Sequence, residues 1–459
     1  MLRRKLSLRW FYALALAIVA LQPSKSFAQS SVSSTSIRPF VLGLTPVIGR
    51  NGFVGGVSVD AAGIVTRAVV DEKRALAARR AALGGDGTTK LRVVSLAGLE
   101  GTLAELVESR KPIPEEVSFL AGLQRVEYVF AMPDENDIFL AGPAESWHVD
   151  ERGVAIGMTT GMPVVRLDDL LEAFRTAESA ATGRGISCSI DPTEEGLARL
   201  QLLLKNRNLQ FSQRTTDLMQ KAVGANQITV TGVTGDSHFA RVMVAADYLM
   251  KRLAMGLDQA PVADMPSYME LLAKQGARSA GTASPRWWLA VNYSQLLRSE
   301  DGLSWQLRGP GVKAMTENGF VDSTGAIVES GRTDRQSQRW AETMTAMYEE
   351  LSRAEPVFGE LRNCMDLAVV AAIVTHYDLV KQAAADLPLL TSGKHLRGPR
   401  YHVPQAVEPH LSVARTQRGW IVGVSGGVDI DSWSVLNSPE TGVIARGKPR
   451  PASDPWWWE

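Results

Sequence analysis

The chain has 459 residues, which is enough for two or three domains of ordinary size. Hydrophobic residues make up 45% of it and charged residues 21%, a balance that is typical of globular proteins and excludes general disorder. Lys and Arg together number 49, as do Asp and Glu, so the net charge is zero. This excludes a global basic field that would attract nucleic acid or an anionic membrane surface.

The first 28 residues have the three parts of a secretory signal peptide. The basic stretch MLRRKLSLR precedes the apolar run WFYALALAIVALQ, and PSKSFA places Ser26 and Ala28 at the small-residue positions of a cleavage site. A membrane-spanning helix needs about 20 apolar residues, so this run is short for that role. We expect export with cleavage near Ala28; an uncleaved N-terminal anchor is the alternative. A Ser-rich linker is predicted over 29–44.

Residues 45–180 are predicted to form an N-terminal α+β domain. Hairpins are expected at 54–70 and 125–147, and helices at 71–83, 96–110, 114–123 and 168–179. Strands and helices do not alternate strictly along this segment. The pattern therefore favours an α+β fold with mixed hairpin sheets over a doubly wound parallel sheet.

Residues 181–390 are predicted to form a central α+β domain. Strands are expected at 183–191 and 227–235, helices at 193–207 and 238–255, and paired strands at 285–293 and 302–315. A helical hairpin is predicted over 334–385, broken near Glu355 and Pro356. Its run from Leu367 to Val374 is apolar on all sides, so we expect it to be buried.

The last part of the chain is predicted to contain a β-rich segment at 391–450 and a Trp-rich tail at 451–459. Trp456, Trp457 and Trp458 stand side by side in this tail. If exposed, three indole rings would form an adhesive surface for a partner groove or for the faces of sugars. The alternative is that the tail packs back onto the protein.

Ser425 lies in a G-x-S-x-G pattern, which is typical of a nucleophilic serine. That arrangement needs a helix directly after the serine, but the following residues, VDIDSWSVL, alternate like a strand. It also needs a histidine after the serine, and the last histidine, His410, precedes it. We therefore expect a glycine-rich turn and assign no catalytic residue.

Motifs for cofactors and metals also fail on their spacing. The run GVIARGKP nearly matches a phosphate-binding loop, but Pro449 replaces the hydroxyl residue that binds Mg²⁺. His395, His402 and His410 match no standard ligand spacing, and the Lys and Arg residues among them would repel a cation. We predict no cofactor and no metal.

Asp236, His238 and Arg241 form the most interesting polar group. They follow a glycine-containing turn at the start of the predicted helix 238–255. A strand end, a glycine turn and a helix N-terminus together are typical of an anion or substrate site. The alternative is a capped, solvated helix start. Further along this helix, Asp247 and Lys251 have the i, i+4 spacing of a surface ion pair.

Cys188 and Cys364 are the only two cysteines in the sequence. In an oxidising compartment they could form one disulfide. The alternative is two buried thiols that act as small hydrophobic side chains, because both cysteines lie in apolar runs.

Four runs of the sequence, GISCSIDPTEEGLARLQ, DSHFARVMVAADYLMKRLAMGL, GLSWQLRGPGVKAM and VFGELRNCMDLAVVAAIVTHYDL, resemble a family of large exported planctomycete proteins that is catalogued only as a domain of unknown function. The resemblance covers about 50–450. It implies export and a single evolutionary unit, and it assigns no catalytic or binding residue.

Two functions are compatible with these patterns. The first is a non-enzymatic protein of the cell envelope or the extracellular space, which binds an envelope protein or a polysaccharide through its surface or its tryptophan tail. The second is a hydrolase or small-ligand-binding enzyme with its site at the N-terminus of the 238–255 helix. Nucleic acid is not expected as a partner, and no membrane span is expected after the signal peptide.

Overall fold

A computed structural model describes most of the chain from residue 40 onward. The described residues are 40–41, 54–60, 62–67, 88–150, 152–205, 210, 212–275, 281–321, 327–332, 334–392, 396–408, 412–416, 418–423, 425–437, 439–445, 450–451 and 456–459. The predicted signal peptide, the predicted helix at 71–83, His395, His410 and Pro449 lie outside them.

Apart from those at 213–223, 268–275 and 388–392, which are not predicted from the sequence, the α-helices of the described residues lie at the predicted positions. They are α1 (Leu96–Glu108), α2 (Glu115–Ser118), α3 (Leu167–Ser179), α4 (Glu194–Leu204), α5 (Gln213–Val223), α6 (His238–Ala254), α7 (Tyr268–Gln275), α8 (Arg335–Ala346), α9 (Tyr348–Ala354), α10 (Val357–His376), α11 (Leu379–Gln382) and α12 (Pro388–Ser392). The predicted break in the 334–385 hairpin is confirmed between α9 and α10, where Pro356 stands.

The strands of the described residues are β1 (Phe40–Val41), β2 (Val57–Val59), β3 (Ile64–Arg67), β4 (Thr89–Ser95), β5 (Tyr128–Met132), β6 (Asp137–Ala144), β7 (Trp147–Val149), β8 (Ala155–Gly157), β9 (Ile186–Pro192), β10 (Asn226–Thr231), β11 (Gly281–Asn292), β12 (Leu297–Arg298), β13 (Ser304–Gln306), β14 (Gly311–Val321), β15 (Ile327–Arg332), β16 (Leu396–Arg397), β17 (Ala406–Val407), β18 (Ser412–Thr416), β19 (Arg418–Gly423), β20 (Ser425–Ile430), β21 (Glu440–Thr441) and β22 (Trp457–Trp458).

Two mixed sheets carry most of these strands. The larger runs in the order β15-β14-β11-β20-β9-β10-β17-β3-β2, with β19 pairing with β11 and β18 with β19. The smaller runs in the order β21-β12-β13-β5-β6-β4-β22. Most neighbours are antiparallel, but β11 is parallel to β20 and to β19, β17 is parallel to β3, and β12 is parallel to β21. Mixed sheets with several packed helices confirm the α+β fold class.

The predicted hairpins form where turn residues are concentrated. Strands β5 and β6 pair antiparallel, and the turn between them contains Asn136 in the left-handed region at φ 51°. Strands β2 and β3 pair in the same way within the hairpin predicted at 54–70. The predicted pairing of 285–293 with 302–315 is confirmed only in part. Residues from Gly311 onward pair with β11 as β14, whereas Trp305 lies in β13 and pairs with β5 in the other sheet.

The sheets cross the predicted domain boundaries near residues 180 and 390. In the smaller sheet β5 pairs with β13, and in the larger sheet β9 pairs with β20. The chain from Pro39 to Glu459 forms one compact unit. The structure thus joins segments that the sequence analysis assigned to separate domains, because pairing between distant strands leaves no signature in local composition.

Helix α10 lies at the centre of the helical layer. All of its residues from Val357 to Val374 are buried, as the apolar run predicts, and it packs against α3 and α6. Among the described residues, none of the helices combines the length and the apolarity that crossing a membrane would require. Because α10 brings Glu360 to the start of α6, this packing also positions the polar cluster described next.

Candidate functional site

The N-terminus of α6 borders a polar cavity of about 260 Å³. Strand β10 ends at Thr231, and Gly232 follows at φ +80°, where a Cβ atom would meet the carbonyl oxygen of Gly185 at 2.4 Å. Only glycine fits this turn. Ser237 then caps α6 by accepting a hydrogen bond from the Ala240 amide at 3.1 Å. The predicted sequence of strand, glycine turn and helix is therefore confirmed.

Three segments of the chain line the cavity. The lining residues are Asp168, Glu172, Arg175, Thr234, Asp236, Ser237, His238, Gly398, Pro399 and Arg400. Of these residues, Asp236 and His238 are predicted from the sequence. The contributions of α3 and of the segment before Tyr401 are not, because nothing in the sequence indicates that these segments meet α6.

His238 is held between two buried carboxylates. Its Nδ1 lies 2.9 Å from Asp169 Oδ2, and its Nε2 lies 3.5 Å from Glu360 Oε1. Burial and the nearby Arg166 lower the pKa of His238, but Asp169 and Glu360 raise it more strongly, to about 9. At neutral pH the ring is therefore a charged imidazolium that donates to both acids.

Asp168 is neutralised by an arginine beneath the cavity. Arg166 approaches both of its carboxylate oxygens at 2.9 Å, and the Arg166 side chain is only 4% exposed. Burial raises the pKa of Asp168, but the Arg166 guanidinium lowers it further, so it lies below the usual value. A bidentate pair of this kind fixes the direction of both side chains.

Ion pairs also hold the rim of the cavity. Glu172 accepts from Arg175 at 2.5 Å and from the Thr234 amide at 2.6 Å, which ties α3 to the glycine turn. Arg400, whose side chain is 63% exposed, lies 3.5 Å from Asp236. The lining thus carries three carboxylates and three cationic groups when His238 is protonated. The sum of these charges is zero.

Arg241 is not among the residues that line the cavity. It is fully buried, donates to the carbonyl oxygen of His402 at 3.2 Å, and lies over the ring of Tyr401 at 5.8 Å. Burial lowers its pKa to about 10. Arg241 therefore supports the segment that carries Arg400, in contrast to the expectation that it would face a ligand.

Asp168, Asp169 and His238 place one ligand atom each within 4.8 Å of one another, a spacing that would suit a metal ion. The chemistry of the group does not suit one. Arg166 occupies both oxygens of Asp168, and an imidazolium at His238 offers no lone pair. A cation here would compete with the buried guanidinium of Arg166 for Asp168 and would need the neutral form of His238.

The tryptophan tail is docked onto the protein. Trp456 and Trp458 are buried, and β22 pairs antiparallel with β4 at the edge of the smaller sheet. Trp457 donates to Glu116 at 2.7 Å and lies under the guanidinium of Arg92 at 4.6 Å. Of the two alternatives left open by the sequence, the structure shows the packed tail, because the rings complete a sheet and its hydrophobic face.

Cys188 and Cys364 are both free and buried. Burial raises the pKa of each thiol well above its usual value. They lie on β9 and in α10, so the disulfide alternative is replaced by two isolated hydrophobic thiols. Ser425 begins β20 and pairs with β11, as expected for a residue outside any nucleophile turn.

Asp247 and Lys251 form an ion pair, but not on the surface. Their charged atoms are 2.9 Å apart, Asp247 is fully buried, and Lys251 also donates to the carbonyl oxygen of Ile190 at 2.8 Å. Burial raises the pKa of Asp247 to about 6 although Lys251 lowers it. The i, i+4 spacing is correct, but it carries no information on which face of α6 is covered by the larger sheet.

A larger cavity of about 920 Å³ follows α6 and is bordered by α7 and α8. It contains none of the residues selected from the sequence. The smaller cavity at the N-terminus of α6 is the better candidate site, because its floor carries buried, fixed charges.

None of the curated proteins and none of the solved structures to which the chain was compared matches it. Residues 188–268 match the model of a family described as "Protein of unknown function (DUF1598)". The match runs from β9 to the start of α7 and includes Asp236, His238 and Arg241, whereas Asp169 and Glu360 lie outside it. The segment that carries the central helix of the candidate site is therefore similar to a family whose function is unknown.

Proposed function

We propose that this chain is an exported binding protein that holds a small polar ligand in the cavity at the N-terminus of α6. The observation that carries the proposal is the fixed, charge-balanced lining of that cavity. Three carboxylates and three cationic groups converge there, each held by an ion pair with a neighbour. Convergent polar groups of this kind orient a ligand and select it.

The size and charge of the cavity indicate the class of ligand. A volume of about 260 Å³ is below the range of about 300–1,000 Å³ that is typical of sites for drug-sized molecules. The lining has no net charge, so a strongly anionic or cationic ligand would be poorly compensated. The best fit is a molecule of the size of one sugar unit, whose hydroxyl groups donate to carboxylates and accept from Arg175 and Arg400.

Binding is favoured over catalysis by the state of His238. A general base needs a free lone pair on a ring nitrogen and a pKa near the working pH. Both nitrogens of His238 face carboxylates, and its pKa is raised to about 9. A hydrolase that relied on this histidine would first have to release it from Asp169 or Glu360.

Export is part of the same proposal. It is supported by the signal-peptide pattern of the first 28 residues and by the resemblance to exported planctomycete-type proteins. An exported protein of the envelope or the extracellular space encounters polysaccharides and envelope proteins. An envelope polysaccharide would supply sugar units of the required size.

Thermal unfolding with a panel of monosaccharides, amino acids, small anions and metal salts tests the proposal. A ligand at 100 times its dissociation constant stabilises the folded state by about 2.7 kcal/mol. We expect a neutral sugar to raise the melting temperature, and Arg400→Ala to remove that rise. Arg353→Ala is the matched control, since Arg353 is also an exposed arginine with a carboxylate partner, at 2.7 Å.

Two results would contradict the proposal. The first is the absence of any stabilisation by the panel at millimolar concentration. The second is a stabilisation that Arg400→Ala and Arg353→Ala reduce equally, because that would place the ligand elsewhere on the protein.

A further inference from the structure

A second site lies at the C-terminal end of α10, far along that helix from Glu360. An open groove of about 550 Å³ is formed there with the segment after β20. Its lining includes His376, Tyr377, Asp431, Trp433, Ser434 and Asn437. Aromatic rings and short polar side chains thus line the same groove.

The two larger rings are held in place from behind. The indole N–H of Trp433 donates to the carbonyl oxygen of Ala177 at 3.2 Å. The Tyr377 ring lies against the buried Trp305 ring with a centroid distance of 4.3 Å, and the Arg298 guanidinium is 5.1 Å from the Tyr377 ring. Anchored rings lose little conformational entropy when a ligand packs on them.

His376 connects these two rings. It is exposed and stands at 90° to Tyr377 with a centroid distance of 4.5 Å, and at 83° to Trp433 with a distance of 5.5 Å. Edge-to-face packing of this kind is favourable between aromatic rings. His376, Tyr377 and Trp433 therefore form a continuous aromatic surface, which we call the aromatic groove.

Hydrogen-bonding groups lie beside the aromatic surface. Asp431 accepts from the Ser434 amide at 3.1 Å, and Ser434 Oγ donates to the carbonyl oxygen of Asp431 at 2.9 Å, so the turn that carries both is fixed. Asp431, Ser434 and Asn437 are all exposed. Neither lysine nor arginine is among the described lining residues, which makes the groove unsuited to phosphate or another anion.

We infer that the aromatic groove binds a polysaccharide strand. A pyranose ring with equatorial hydroxyl groups presents axial C–H bonds on both faces, and these pack against indole and phenol rings while the hydroxyl groups reach polar side chains at the edge. Trp433 supplies a ring face, His376 and Tyr377 extend the aromatic surface beside it, and Asp431 and Asn437 supply the edge. The inference does not depend on the cavity at α6, because the two sites share no lining residue.

Isothermal titration of the full chain with cellohexaose and with chitohexaose tests this inference. Both probes are β-1,4-linked and have equatorial hydroxyl groups. We expect one of them to bind, and Trp433→Ala to weaken binding by about tenfold or more, which corresponds to about 1.4 kcal/mol. Trp147→Ala is the matched control, because Trp147 is another half-buried indole and contacts Phe119 outside the groove.

His376→Ala and Asn437→Ala decide the matter if Trp433→Ala fails to fold, since both change exposed side chains. Weaker binding by either variant supports the inference. It is overturned if neither hexasaccharide binds the native protein at millimolar concentration, or if the groove variants bind as well as the control. Arg400→Ala is expected to leave binding of the hexasaccharide unchanged, so failure at one site can be told from failure at the other.

Discussion

His238 can be identified from the sequence as a notable residue, but its role cannot be predicted from the sequence. The glycine turn and the helix start mark it as interesting, but its partners Asp169 and Glu360 come from two other helices. Without these two carboxylates, the His238 ring would be a candidate general base. With them it is a buried cation that links α3, α6 and α10. Long-range neighbours, and not local pattern, decide its protonation state.

The raised pKa of His238 predicts a loss of stability in mild alkali. The folded pKa is about 9 and the unfolded value about 6.5, so the folded state binds the proton more tightly. The resulting stabilisation is complete below about pH 6.5 and is lost as the pH rises through 9. It amounts to about 3 kcal/mol. Urea unfolding at a series of pH values measures it.

His238→Gln is the control for this pH dependence. The variant removes the titrating group, so the slope of unfolding free energy between pH 6.5 and 9 should largely disappear. An unchanged slope in the variant would show that other groups cause it, and would contradict the ion-pair description of His238.

Asp247 predicts an effect in the acidic range. Its folded pKa of about 6 lies above the unfolded value of about 3.9, so the folded state again binds the proton more tightly. The contribution of Asp247 to stability is therefore largest below about pH 4 and falls by about 3 kcal/mol as the pH rises to 6. Asp247→Asn should flatten this part of the profile in the same urea experiment. A profile that stays as steep in the variant would refute the assignment.

At the scale of single elements, sequence periodicity and turn chemistry are informative. Helix α6, the β5–β6 hairpin and the break before α10 lie where the pattern predicts them, because capping, glycine turns and proline act over a few residues. The tryptophan tail shows what such local patterns cannot predict. Its three rings give no sign of whether a sheet edge is available, and that edge is provided by β4, far away in the chain.

The docked tail predicts a large packing contribution from Trp458. Its ring is 3% exposed and meets Phe139 edge-to-face at a centroid distance of 4.9 Å. Trp458→Ala should lower the free energy of unfolding by about 3–5 kcal/mol, because it empties a buried site. Chemical denaturation measures this loss. Trp457→Ala, at a half-buried ring, should cost clearly less; equal losses would contradict the docking of β22 as described.

At the scale of the whole molecule, the sequence indicates the fold class and not the division of the chain. Mixed helices and hairpins are enough to predict α+β. Both sheets extend across the predicted boundaries near 180 and 390, since β9 pairs with β20 and β5 pairs with β13. The amino-acid composition changes along the chain, but one hydrophobic core includes residues from all three predicted segments.

Shared sheets predict that the described part of the chain unfolds as one unit. Calorimetry of the purified protein should give a single transition, since a segment such as 45–180 cannot complete the smaller sheet alone. That segment, expressed separately, should lack the dispersed amide spectrum of a folded protein. Two resolved transitions, or a folded 45–180 fragment, would restore the separate domains of the sequence analysis.

The two buried thiols can report separately on the opening of two parts of the structure. Cys188 sits in the larger sheet and Cys364 in the central helix, and neither is accessible while the structure is closed. An alkylating reagent reaches each thiol only when its surroundings open, so the labelling rate of each reports the opening of its own layer. Equal labelling rates would mean that the sheet and the helices open in one event. Unequal labelling rates would show which of the two opens first.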